Sequence, residues 1–123
     1  MKRPLLAIAL LALASVAVAA DKEGAHWSQR PSTCKEFRDA QRSQEITAAG
    51  RNIRSWVAGY ISAYNRQTAD TYNILGITEF DSLIESIDKY CKTNPFKNVA
   101  EAMEEITDEL HARRYRTKRE AGR

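Results

Sequence analysis

Catalytic and metal-binding chemistry is thinly supplied in this chain. Its 123 residues include two histidines, His26 and His111, and two cysteines, Cys34 and Cys91. Neither histidine has a partner at metal-ligand spacing, and two cysteines without a nearby histidine do not make a zinc site. The cysteines stand too far apart for a C-x-x-C redox motif. No glycine-rich phosphate loop occurs, and no serine has a companion base in a recognisable motif. Carboxylate pairs such as Glu104 and Glu105 read as solvated helix residues. Strand-type alternation of useful length is missing, as are internal repeats. These absences set aside catalysis, a resident metal and a cofactor. What they leave is a binding protein.

The most informative segment that is present comes first. Lys2 and Arg3 give a positive start, an apolar run follows from Leu5 to Leu13, and small residues lead to Ala17-Val18-Ala19. Charge, a short apolar stretch and a small-residue cut site, in that order, predict a secretory leader over 1–20, removed after Ala19 or Ala20. The apolar stretch is short for a span of about 20 residues, so no transmembrane segment is expected in the mature protein. Without the leader, one domain remains. Loss of Lys2 and Arg3 leaves 17 basic side chains against 16 acidic ones, a net charge near +1 instead of +3. Outside the cytosol, a lone cysteine pair most simply forms one disulfide, Cys34 to Cys91. Closing a loop of that length contributes about 4 kcal/mol in the chain-entropy model.

Four helices are predicted. Residues 21–31 are polar and aperiodic and read as a flexible arm. Thr33-x-x-Glu36 is a capping-box pattern that opens a brief helix near Cys34, with Phe37 and Ala40 on its apolar face. The clearest amphipathic stretch runs from about Ala48 to Arg66. There Ile53, Trp56, Val57, Tyr60, Ile61 and Tyr64 recur at helical spacing. Gly59 inside it costs about 1 kcal/mol against Ala and is expected to mark a close packing contact. Thr68 to Ile77 reads as irregular. Thr78-x-x-Asp81 is expected to start a third helix, faced by Phe80, Leu83, Ile84, Ile87 and Cys91, and Asn94-Pro95 to stop it. Asn98-x-x-Glu101 opens the fourth, striped by Val99, Ala102, Met103, Ile106 and Leu110. The helical domain is placed at 32–112. Residues 113–123 form a basic tail with Arg113, Arg114, Arg116, Lys118, Arg119 and Arg123, read as a solvated, frayed end that binds no nucleic acid.

Two stretches carry a resemblance. Ser32-Thr33-Cys34-Lys35-Glu36-Phe37 resembles the T-C-x-x-F opening of the HdeA/HdeB periplasmic acid-stress chaperones. Ile87-Asp88-Lys89-Tyr90-Cys91-Lys92-Thr93-Asn94-Pro95 is similar to their second cysteine context, particularly the Y-C-K-x-N-P of the HdeB side. Asp70-Thr71 followed by Thr78-Glu79-Phe80-Asp81 is similar to the connection before the third helix, and Trp56 matches an aromatic in the second. The likeness spans roughly Ser32 to Leu110; the Arg-rich tail is no part of it. It implies an all-α, four-helix, HdeA-like fold with one disulfide. It also implies an ATP-independent holdase of the periplasm, often dimeric near neutral pH, that opens in acid and binds acid-unfolded periplasmic proteins.

Charge alone is compatible with such a response. Model carboxylate pKa values lie near 4, so at about pH 2 most acids are neutral while every Lys and Arg stays charged. The mature net charge then climbs from about +1 toward +19, both histidines included. Self-repulsion on that scale loosens a compact state. The stripe Ile53, Trp56, Val57, Tyr60, Ile61 and Tyr64 is the candidate client or dimer surface. The competing class is a periplasmic immunity or inhibitor protein, for which the same stripe is a fixed hot-spot patch against one toxin or hydrolase. A lipid-surface protein using the basic tail ranks below both.

Overall fold

The computed structural model describes residues 20–123. The expected leader therefore lies outside the described residues, apart from Ala20. Four α-helices follow in order: α1 (Cys34–Gln41), α2 (Ala48–Gln67), α3 (Phe80–Thr93) and α4 (Val99–Leu110), the last continued by a 3-10 turn at His111–Arg113. Among the described residues no strand forms, and the fold is the all-α, four-helix one expected. None of these helices is long and apolar enough to cross a membrane.

The helix starts follow the local chemistry. The Thr33 hydroxyl accepts from the Glu36 amide, and the Glu36 carboxylate accepts from the Thr33 amide, so the capping box at α1 is complete. Asn98 and Glu101 make the same reciprocal pair at α4. Such boxes satisfy amides that the first helical turn leaves unpaired. The third helix departs from expectation. Thr78 is used in a turn, donating its amide to Leu75, and α3 begins at Phe80 after Glu79, which makes no side-chain cap. Its end agrees with the reading at Asn94-Pro95: the Asn94 amide closes on the Tyr90 carbonyl.

α3 packs against both α1 and α4, and α1 against α2. Phe37 of α1, Val57 of α2, Leu83 and Ile87 of α3, and Met103 of α4 meet in one buried cluster. Burial of such side chains stabilises by about 1.5–3 kcal/mol each. Thr107 is the buried polar residue among them, and its hydroxyl is satisfied by the Met103 carbonyl at 2.7 Å. The Cys34–Cys91 disulfide lies within this core, with Cα atoms 4.9 Å apart and both cysteines fully buried. It ties the start of α1 to the end of α3.

Two features correct the sequence reading. Gly59 makes no close contact: a Cβ there would meet nothing within 4 Å. It lies on the exposed side of α2, whereas the buried glycine of that helix is Gly50, beside the Thr47 cap. The C-terminal tail does not fray. Asn73 and Tyr115 form an antiparallel bridge, with the Tyr115 amide donating to Asn73 and the Tyr115 carbonyl accepting from Tyr72 and Asn73. Backbone groups left over by the irregular α2–α3 connection find their partners there. Gly76, at φ +56°, lets the strap pass, since a Cβ would lie 2.5 Å from the Arg113 carbonyl oxygen.

Candidate functional site

The stripe on α2 is divided by the fold into an inner and an outer half. Ile53, Val57 and Ile61 are buried, while Trp56, Tyr60 and Tyr64 are partly buried and pack against the rim of the core. The aliphatic half is thus structural in the closed molecule, as its spacing on the helix requires. The aromatic half lies where the core meets solvent. Trp56 and Tyr60 are stacked at a tilt, with ring centroids 5.7 Å apart.

Trp56 and Tyr64 each have a polar attachment to another element. The Trp56 indole N–H donates to the Gln29 carbonyl at 2.9 Å, which draws the N-terminal arm against α2. The Tyr64 hydroxyl lies 3.1 Å from His111 Nδ1 at the end of α4. Burial pushes the Tyr60 phenol above its ordinary range, and the carboxylates Glu104 and Asp108 of α4 add to the effect. The arm makes a second contact through His26 Nε2, 3.1 Å from Glu104. Between the arm, α1 and α2 a groove of about 620 Å³ opens onto Ile53 and Trp56.

Carboxylates of α3 connect to both α1 and α2. Arg38 of α1 faces Asp88 of α3 at 3.5 Å. Arg54 of α2 pairs with Asp81 of α3 and lies over the Phe80 ring, 5.1 Å from its centroid. Bonds from Thr33 hold the Glu36 carboxyl below its ordinary range. The Lys97 ammonium, helped by the Asn98 amide, does the same for Glu101, as Lys35 does for Asp39. A depressed carboxylate pKa contributes stability above the ordinary carboxylate range, and that contribution is lost as pH falls through the folded value.

Apolar residues outside the helical stripes had escaped the periodic reading. Ile74, in the irregular α2–α3 connection, is fully buried, its amide donating to Asn65 Oδ1 at 2.7 Å. Trp27 of the arm, Ile77 of the connection and Phe96 after α3 are exposed. A lone apolar residue in a loop has no repeat to reveal which way it faces. Among the described residues, no group of three or more His, Cys, Asp or Glu gathers as a metal site.

The described residues form a small helical domain with one buried disulfide and an apolar stripe on α2 that is half core and half rim. Residues 4–101 match the HdeA/HdeB family, and the chain belongs to that family. Membership is consistent with an acid-stress chaperone role in the periplasm. No match is found among curated proteins or among solved structures.

Proposed function

We propose that the protein is an ATP-independent periplasmic holdase that opens at low pH and keeps unfolding proteins from aggregating. Residues 1–20 are its cleaved leader, 21–31 an arm, 32–112 the working domain and 113–123 a basic terminal segment. The observation that carries this reading is the set of ionic contacts that join separate elements of the fold. Arg38–Asp88, Arg54–Asp81 and His26–Glu104 each join two elements, and each depends on an ionised carboxylate. Both capping boxes depend on one as well.

Contacts of this kind lose their charge pairing in strong acid. No single exposed pair contributes much. Their joint loss, with a mature net charge rising toward +19, favours an expanded state. Ile53, Val57 and Ile61 then join Trp56, Tyr60 and Tyr64 as one accessible apolar surface for clients. The disulfide does not titrate and limits how far the chain separates. On neutralisation the carboxylates ionise, the contacts re-form, and the client is released. At neutral pH the aromatic edge is the candidate homodimer surface.

The test combines binding of a hydrophobic dye with suppression of client aggregation, from pH 7 down to about pH 2, well below the model carboxylate values. Dye binding and protection should rise together and reverse on neutralisation. Absence of either in acid removes the proposal. A single stoichiometric partner captured at neutral pH with the fold intact would assign the aromatic edge to an inhibitor instead.

A further inference from the structure

The C-terminal strap takes no part in the proposed client surface, yet it gathers charge of one sign. Residues 113–123 contain six basic side chains and one acidic one, Glu120, whereas 21–112 contain 11 basic and 15 acidic. An unfolded tail would spread this charge through solvent. The bridge at Asn73–Tyr115 fixes it instead. Arg114 lies half-buried and donates to the Asp70 carbonyl, the Thr71 hydroxyl and the His111 carbonyl. Arg113, Arg116, Lys118, Arg119 and Arg123 remain exposed. Among the described residues none of the six is paired with a carboxylate. The Glu120 carboxylate is occupied by the Arg116 amide at 2.6 Å.

Apolar surface adjoins these cations. The chain end curls back toward α2, where Arg123 shares a cleft with Tyr72, Asn73 and Tyr115. Tyr72 is 38 % exposed, and Ile77, next to the Gly76 that the strap crosses, is 80 % exposed. Unpaired cations beside exposed aliphatic and aromatic side chains match the chemistry of a bilayer surface. Cations meet anionic headgroups there, and apolar side chains enter the boundary with the acyl chains. A soluble polyanion has no use for the apolar part.

We propose that the strap and the connection beneath it form a docking surface for anionic phospholipid membranes. The cations are Arg113, Arg116, Lys118, Arg119 and Arg123, and the apolar contact is Ile77. This surface operates at neutral pH with the fold closed, so it does not depend on the chaperone reading. Protein bound this way is held at the membrane, ready before acid arrives.

The test is co-sedimentation at pH 7 of the chain from Asp21, disulfide formed, with phosphatidylcholine vesicles, with and without a third of phosphatidylglycerol. Binding is expected with the mixed vesicles alone and should weaken as salt is added. The combined variant Arg116→Ser, Lys118→Ser and Arg119→Ser should lower the partition coefficient about 100-fold, since each cation near an anionic surface contributes about 1 kcal/mol. Circular dichroism confirms that this variant is folded. Ile77→Ser should lower it about tenfold. No binding to the mixed vesicles at low salt overturns the proposal, as does undiminished binding by the triple variant. Binding that soluble polyphosphate matches in strength, and that Ile77→Ser leaves unchanged, assigns the strap to soluble polyanions and also overturns it.

Discussion

Two isolated antiparallel bridges join distant parts of this chain, and they differ in what holds them. At Thr33–Asn98 the starts of α1 and α4 lie side by side, with the Cys34 amide bonded to Lys97 and the Val99 amide to Ser32. Each start is capped by a carboxylate, Glu36 or Glu101, whose ionised form the fold favours. At Asn73–Tyr115 the partners are backbone groups, the Asn65 side-chain amide and an arginine on carbonyls. The neighbouring His111 can accept from Tyr64 or, once protonated, donate to it. Acid is thus directed at the first junction and largely spares the second. The general lesson is that a uniform rise in charge can open a fold unevenly, according to where its carboxylates are used.

Breaking the disulfide should have the largest effect on this contrast. Cys34→Ser with Cys91→Ser should cost about 4 kcal/mol in urea unfolding at neutral pH. In acid it should leave the start of α1 without its covalent tie to the end of α3, seen as a larger hydrodynamic radius than the parent's. Gly76→Ala comes next. It forces a Cβ against the Arg113 carbonyl at a positive φ, and should cost roughly 2 kcal/mol. Hydrogen exchange should show protection lost at the Asn73 and Tyr115 amides and retained at Cys34 and Val99.

Asn98→Ala removes the α4 cap and should cost about 1 kcal/mol by urea unfolding. The pair Glu36→Gln and Glu101→Gln sharpens the same point through pH. Both carboxyl pKa values lie below the ordinary range in the fold, so both groups contribute above it and cease to contribute as pH falls. Stability of the double variant should therefore vary less between pH 5 and pH 2 than the parent's; an unchanged slope would place the acid response elsewhere. Gly59→Ala should have the smallest effect, a gain of about 0.5–1 kcal/mol. Because its neighbourhood is open, it should leave the contrast between the junctions intact.

The two caps at the first junction were legible in the residues, but the pairing of Thr33 with Asn98 was not, and nothing of the second junction was. Thr33-x-x-Glu36 and Asn98-x-x-Glu101 are local patterns in which the donor and acceptor types announce the cap. The core stripes of α3 and α4 were likewise readable, because Leu83, Ile87, Met103 and Ile106 repeat with the helix. The fit of Ile74 and Gly76 against residues near Tyr115 has no short-range signature, since it depends on pairing between segments distant in the chain. That is why the tail looked frayed and the connection merely irregular. Gly59 shows the opposite error. Its place inside an amphipathic helix suggested a close contact, but which side of the helix it takes follows from its angular position. The stripe itself was foreseeable as a set; its division into a buried aliphatic half and a rim of aromatics needed the packing partners.

The position of the sulfur–sulfur bond along the chain has a topological consequence. Cys34 and Cys91 enclose all of α2 and most of α3, whereas α4 and the strap follow the closure. A molecule opened at the first junction is therefore a ring with a tail that stays pinned to it at Asn73–Tyr115. Its ring carries the greasy arc from Ile53 to Tyr64, and its tail ends in a cluster of cations that acid never discharges. Clients would meet the ring while the tail stays hydrated, so the loaded particle keeps a solvated end that resists coalescence with its neighbours.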